Sequence, residues 1–309
     1  MKLWDPHFHL WDVSPGTTSG HDPSQLAAVD GDPVYGRTRY EADLAVEGFE
    51  LTGGALVEAV SVCHVEEDGP PFAGACVAEA RWVSGQLAAS PLDYVIVASA
   101  PLEDPDLPAI LHELADYPGL RGIRQIVNHE PSWPRNERRG DFLDQAAWRR
   151  GFARLEEFSL TFDLQLNPSQ FRKAAHLLAR HPGIPIVIGH LGSPTLADLR
   201  EGKVYWEGLA ALADLEQVHI KISMLSYTDD EWDRNPLVRE SVHRTMDLFG
   251  PGRCMFASNF PVEKHVGWPA ARLCAAFRGL ASHLDPADRE GLFADNARRA
   301  YQVLETASG

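Results

Sequence analysis

The chain has 309 residues, 44% hydrophobic and 23% charged, a globular composition that excludes a disordered chain or a fibre and is long enough for one α/β barrel or two ordinary domains. Lys and Arg number 28 against 44 Asp and Glu, a net charge of −16; such a surface repels nucleic acid and anionic lipid, so neither is expected as a partner. No run reaches the ~20 apolar residues of a membrane span, the opening Met1–His7 has no signal-like apolar stretch, and Cys63, Cys76, Cys254 and Cys274 form no CxxC pair, so reduced thiols in a cytoplasmic protein are expected.

Short β-branched runs alternate with longer helical patterns from end to end. Strands are predicted at Leu3–His9, Gly54–Val60, Tyr94–Ser99, Gly122–Val127, Leu160–Leu166, Ile184–His190, Val218–Ser223 and Cys254–Ser258. Helices are predicted at Phe72–Ala89, Leu107–Tyr117, Asp144–Phe158, Pro168–Arg180, Trp206–Glu216, Asn235–Phe249, Pro269–Leu280 and Pro286–Leu304. Parallel neighbours need crossover helices, and the apolar runs Tyr94–Val97 and Ile184–Ile188 suit strands covered on both faces. An open doubly wound sheet would show a Gly-rich turn after its first strand; here that strand ends His7-Phe8-His9. The expected fold is therefore a single (β/α)8 TIM-type barrel spanning 1–309 as one domain. The stretch Val13–Tyr40, rich in Gly, Pro, Ser, Thr and Asp, is expected to be a long cover loop over the mouth.

In such a barrel, chemistry stands at the C-terminal ends of the strands. His7 and His9, two apart, face the same side of strand one. Strand two offers Glu58, with His64 in the loop beyond; strand four carries Arg124, strand five Gln165, strand six His190, strand seven Lys221 and Ser223, and strand eight Asn259. Neutral imidazoles can hold a metal, bind a substrate oxygen or shuttle a proton, and the spacing does not choose among these. Arg124 is the expected anchor of a substrate carboxylate, and the loop Asn128–Asp141 adds Arg135, Arg138 and Arg139. Met255, Phe256 and Phe260 read as core. The absence of a GxSxG elbow and of a P-loop leaves serine-esterase and nucleotide chemistry without support.

Four motifs in order carry a resemblance. Asp5-Pro6-His7-Phe8-His9-Leu10-Trp11-Asp12, Ile188-Gly189-His190-Leu191-Gly192-Ser193-Pro194, Phe256-Ala257-Ser258-Asn259-Phe260-Pro261-Val262 and Asp295-Asn296-Ala297-Arg298-Arg299-Ala300-Tyr301 resemble the opening, strand-six, strand-eight and terminal motifs of the amidohydrolase superfamily, in its amidohydrolase-related, lactonase-like branch. Arg124 and Lys221 match in place, which implies that Lys221 points into the mouth. The resemblance implies a barrel that hydrolyses sugar-acid or dicarboxylate lactones, with decarboxylases among the relatives. The sequence departs from the pattern at strand eight, where Asn259 replaces the usual aspartate, and at strand five, where Gln165 stands in place of a histidine. A neutral amide has no basicity for water and no charge to offset a cation. The base would then be a histidine or one of Asp5, Glu58 and Asp163, with Asp5 lying below His7 on the inner face.

The expected function is a hydrolase opening a small acidic lactone or cyclic ester. His7, His9, His190 and Asn259 form its catalytic set, and Arg124, Gln165, Lys221, Ser223 and His64 its substrate contacts. The alternatives are a degenerate ligand-binding barrel and a metal-dependent decarboxylase of an unsaturated or aromatic acid. No cofactor is required; a single weakly bound divalent ion such as zinc would use His7, His9 and His190. The expected partner is a small anionic substrate, and a homo-oligomer is left open.

Overall fold

The computed structural model describes residues 1–14, 29–60, 72–130 and 140–303. Eight strands form one sheet in sequential order: β1 (Lys2–Phe8), β2 (Glu50–Val57), β3 (Asp93–Ser99), β4 (Leu120–Ile126), β5 (Thr161–Gln165), β6 (Ile186–Ile188), β7 (Val218–Ile222) and β8 (Cys254–Phe256). Every neighbouring pair is parallel. The last strand returns to the first just beyond its end: Asn259 N donates to His7 O at 2.8 Å and His9 N to Phe260 O at 2.7 Å. The result is the expected (β/α)8 barrel, with its helices outside.

Period-two alternation divides the side chains. Leu56, Ile96, Ala98, Ile186, Ile188 and Phe256 pack outward in the large core beneath the helices. Trp4, Ala55, Val57, Val95, Val97, Val187 and Met255 fill the barrel's lower interior, joined by Ala297, Ala300 and Tyr301 of the terminal segment. Thr161 Oγ1 donates to Ala300 O and Trp4 Nε1 to Asp93 O, so that segment stops the N-terminal end of the barrel. Higher up the same inner face the residues turn polar: Arg124, Asp163, Gln165 and Lys221. Met255, Phe256 and Phe260 are buried, as read from the sequence.

Two corrections concern register. β2 begins at Glu50, not Gly54, because Gly53 and Gly54 lie inside the strand instead of ending a turn. A Cβ at Gly53 would stand 2.0 Å from Asp93 O, and one at Gly54 2.4 Å from Asp5 O, so both glycines serve close backbone approach. In β1 the register shifts between Asp5 and Phe8. This bulge puts Asp5 on the outer face, where Tyr40 Oη, Ser258 N and Ser258 Oγ donate to its carboxylate at 2.8, 2.9 and 2.5 Å. Asp5 is therefore not below His7 on the inner face.

The cover stretch is only partly a loop. Residues 15–28 lie outside the described residues; beyond them Val34–Tyr35 pairs antiparallel with Trp11–Asp12, and a helix starts at Arg37. His64, Cys63 and the arginines at 135, 138 and 139 also lie outside the described residues.

Candidate functional site

Three histidines meet above the polar layer. Phe8, between His7 and His9, packs outward against Tyr40, with ring centroids 3.9 Å apart, so both imidazoles turn inward. His7 Nε2 and His9 Nε2 are 3.2 Å apart, and the His7 and His190 ring centroids 4.6 Å. Their partners fix the tautomers. The Val57 carbonyl, 2.8 Å from His9 Nδ1, can only accept, so His9 carries its proton on Nδ1 and a lone pair on Nε2. The Lys221 ammonium donates to His7 Nδ1 at 3.1 Å, so His7 donates from Nε2 to His9. A one-way chain results: Lys221 to His7 to His9 to Val57. His190 bonds Ser223 Oγ through Nδ1 at 2.9 Å, and its Nε2 has no partner among the described residues.

Two cations with their carboxylates underlie this ring. Arg124 Nε donates to Glu58 Oε1 at 2.6 Å, Nη2 to Glu58 O at 2.5 Å and Nη1 to Gln165 Oε1 at 3.1 Å. Lys221 is fully buried and donates to Asp163 Oδ2 at 2.5 Å; Tyr301 Oη donates to both oxygens of the same carboxylate at 2.8 and 2.9 Å. Glu58 and Asp163 are thus committed to buried ion pairs, which makes them poor candidates for a water-activating base. Burial, together with the positive charges of Lys221 and Arg124, holds His7 and His190 well below the usual histidine value and His9 at about 3. All three rings are neutral at neutral pH.

The turns that present these groups are left-handed. His190, Met224 and Asn259 follow β6, β7 and β8 at φ 55°, 51° and 54°, a region that non-glycine residues occupy at a cost and that Asn tolerates better than most. Strand six stops at Ile188, two residues short of the predicted end, and the turn aims His190 across the mouth.

Sequence reasoning missed two carboxylic acids. Glu79 Oε1 accepts from Ala59 N at 2.8 Å and so holds the loop that carries Glu58; burial and the Glu58 charge push it up to about 8. Glu263, on the short helix Val262–His265, is buried beside Asn259 and pushed by burial up to about 7. The i, i+4 spacing from Asn259 was the signal that could have found it.

The residues present do not fit a resident zinc ion. His7 and His9 bring two nitrogens together, but among the described residues no three His, Cys, Asp or Glu side chains converge as metal ligands. His190 turns Nδ1 to Ser223, strand eight supplies a neutral amide, and the Lys221 ammonium sits directly on His7. A divalent cation would meet positive charge with no anionic ligand of its own.

Comparison with known proteins places this geometry in context. The amidohydrolase family profile matches residues 4–303. An uncharacterized protein of Sinorhizobium fredii is 30% identical over 98% of this chain and 99% of its own length. The L-fucono-1,5-lactonase of Burkholderia multivorans is 28% identical over 69% of this chain and 73% of its own. Among solved structures, an amidohydrolase from Burkholderia multivorans with bound HEPES superposes with a TM-score of 0.76 at 22% identity, over 98% of this chain and 99% of that one. The last likeness is one of fold.

Proposed function

This chain belongs to the amidohydrolase family, and from that premise we propose that it is a hydrolase opening the ring of a small, acidic sugar-type lactone by metal-independent attack of water. The observation that carries the reading is the cluster of three neutral imidazoles over two buried cations at the strand C-ends. The fuconolactonase relative supports a sugar lactone, and the acidic group is proposed from Arg124.

The chemistry follows from the tautomers. The one lone pair of His9, on Nε2, receives His7 Nε2–H in the resting site, and the attacking water takes the place of that donor to give its proton to His9. His190 Nδ1 lies 2.9 Å from Ser223 Oγ; with the hydroxyl assigned as the donor, His190 offers Nε2–H to the carbonyl oxygen and stabilises the tetrahedral oxyanion. Burial is the larger cause of the depressed histidines, and the positive potential of Arg124 and Lys221, each paired with a carboxylate, adds to it. An arriving carboxylate or a developing oxyanion offsets that potential, which raises the basicity of His9 when it is needed. The same potential favours an anionic substrate, with the Arg124 guanidinium, its geometry set by Glu58 and Gln165, as the expected anchor. Lys221 takes no proton from substrate; it holds His7, which in turn holds His9. His64 completes the proposed substrate contacts. A cytoplasmic setting belongs to the same proposal, supported by the buried free thiols of Cys76, Cys254 and Cys274.

The test is a panel of sugar-acid 1,4- and 1,5-lactones and pyrone dicarboxylates, followed by acid release after exhaustive chelation. We expect turnover of at least one acidic lactone that survives chelation, and a loss of about 10²-fold or more in kcat for His190→Gln and His9→Gln. No hydrolysis of any lactone, or unchanged kinetics in both variants, overturns the reading. Activity that arises only in Asn259→Asp assigns the natural chain as a binding barrel instead.

A further inference from the structure

Asn259 and Glu263 are neighbours one helical turn apart, with Glu263 N donating to Asn259 O at 3.2 Å. Ser226 Oγ donates to Glu263 Oε1 at 2.8 Å and leaves Oε2. Two buried polar atoms at this place have no hydrogen-bond partner among the described residues: Asn259 Nδ2, a donor, and Glu263 Oε2, an acceptor. Each unpaired group carries a desolvation cost, and pairing them with each other removes both costs. Among the described residues no cation pairs with Glu263. Lys264, next in the chain, turns to Asp30 and Asp43 at 2.9 Å each, and the His265 ring stacks on Trp11. The groups that face the Glu263 carboxyl are the Ser226 hydroxyl and the Asn259 amide, and both pull its titration down against the larger effect of burial. On its other side the Asn259 amide favours the protonated form of His9.

We propose that Glu263 is a positioning residue of the hydrolytic site: its Oε2 takes the Asn259 Nδ2–H and so turns the amide oxygen Oδ1 toward His9, where it receives the Nε2–H of the imidazolium formed in turnover. The proposal rests on the hydrolase reading for its kinetic consequence, not for its geometry. The proton leaves the attacking water as the water oxygen bonds the carbonyl carbon. It is held on His9 Nε2 against Asn259 Oδ1 and passes to the ring oxygen as the C–O bond breaks, so water alone is consumed. A neutral amide thereby does at strand eight what an aspartate's charge would do, with the charge set one residue further back. Burial places the Glu263 titration near 7. Above that value the carboxylate holds the amide; below it the neutral acid accepts Nδ2–H more weakly, and the relay loosens.

The experiment follows the Asn259 side-chain amide by NMR in protein labelled with 15N at asparagine, its resonances identified by their loss in Asn259→Asp, from about pH 5.5 to 8.5. In the wild type the amide protons should move with a midpoint near that of Glu263, and in Glu263→Gln they should be flat with pH. With an active lactone, Glu263→Gln should lower kcat about ten- to a hundredfold, leave KM within about twofold and abolish the acid limb near neutrality. Wild-type amide resonances insensitive to pH overturn the proposal without any variant, as does the same titration persisting in Glu263→Gln, or an unchanged kcat and pH profile in that variant. Amide resonances that titrate as stated in a protein that opens no lactone sustain the Glu263–Asn259 relay and overturn the hydrolase reading alone.

Discussion

The three histidines do their work by being hard to protonate, and that has a consequence outside catalysis. His9 titrates near 3 in the fold and near the ordinary histidine value of 6.5 in the unfolded chain. Between those values the unfolded chain binds a proton that the folded chain refuses, so stability falls as pH falls through this window, by about 1.4 kcal/mol per pH unit for one such group. Glu79 acts with the opposite sign. Its folded value of about 8 lies above the usual 4.5, so its contribution is full at low pH and is lost as pH rises through 8. Comparing wild type with His9→Gln cancels the Glu79 contribution. The variant should show a shallower decline of unfolding free energy between about pH 6 and 4, by about 1 kcal/mol per unit, in urea titrations. Equal slopes would show that His9 is protonated in the fold. Arg124 belongs to the same scale. Its pairing with Glu58 means that Arg124→Ala would strand a buried carboxylate, which costs about 3–5 kcal/mol, so loss of activity in that variant would say little about substrate.

At the scale of elements, local pattern located all eight strands, and their ends carried the site. Strand existence was legible because Val95–Val97 and Ile186–Ile188 are apolar on both faces, and the inward aim of His7 and His9 followed from period two. What period two cannot carry is an interruption. The bulge between Asp5 and Phe8 reversed the face of Asp5, a misreading no propensity could have prevented, because the bulge is set by pairing with β2. The second strand starts four residues before the predicted Gly54, because Gly53 and Gly54 lie within it, where the missing Cβ permits close backbone approach. Glu263 went unseen because a carboxylate just past a strand motif looks solvated until the helix packs over it. Gly53 offers a direct check. At φ 155° with the Asp93 carbonyl 2.0 Å from any added Cβ, Gly53→Ala must push β2 from β3 or break their register. We expect a loss of about 3 kcal/mol or more in unfolding free energy. A loss under about 1 kcal/mol would mean that the strand pair has room it does not show.

Across the whole molecule, the two ends of the barrel are coupled. The terminal segment is held at the floor by Trp4, whose ring centroid lies 6.0 Å from that of Tyr301, and by the Thr161 hydroxyl. From the floor, Tyr301 Oη holds Asp163, Asp163 holds Lys221, Lys221 orients His7, and His7 donates to His9. A chain of hydrogen bonds thus joins the floor of the barrel to a histidine in its first strand, and Lys221 is the link that sets the tautomer. Tyr301→Phe removes only the hydroxyl and keeps the apolar stopper. Because hydrogen bonds to a charged group contribute about 1.5–3 kcal/mol, the variant should lose stability in that range. Lys221 still grips Asp163, so the chain of donors above it should survive, with KM and kcat for an active lactone changed less than about threefold. Lys221→Met breaks the chain itself. It leaves Asp163 without its cation and His7 free to place its proton on either nitrogen, and kcat should fall about 10²-fold or more. A Tyr301→Phe variant that loses activity as steeply as Lys221→Met would show that the floor of the barrel, and not Lys221, sets the proton positions at its mouth.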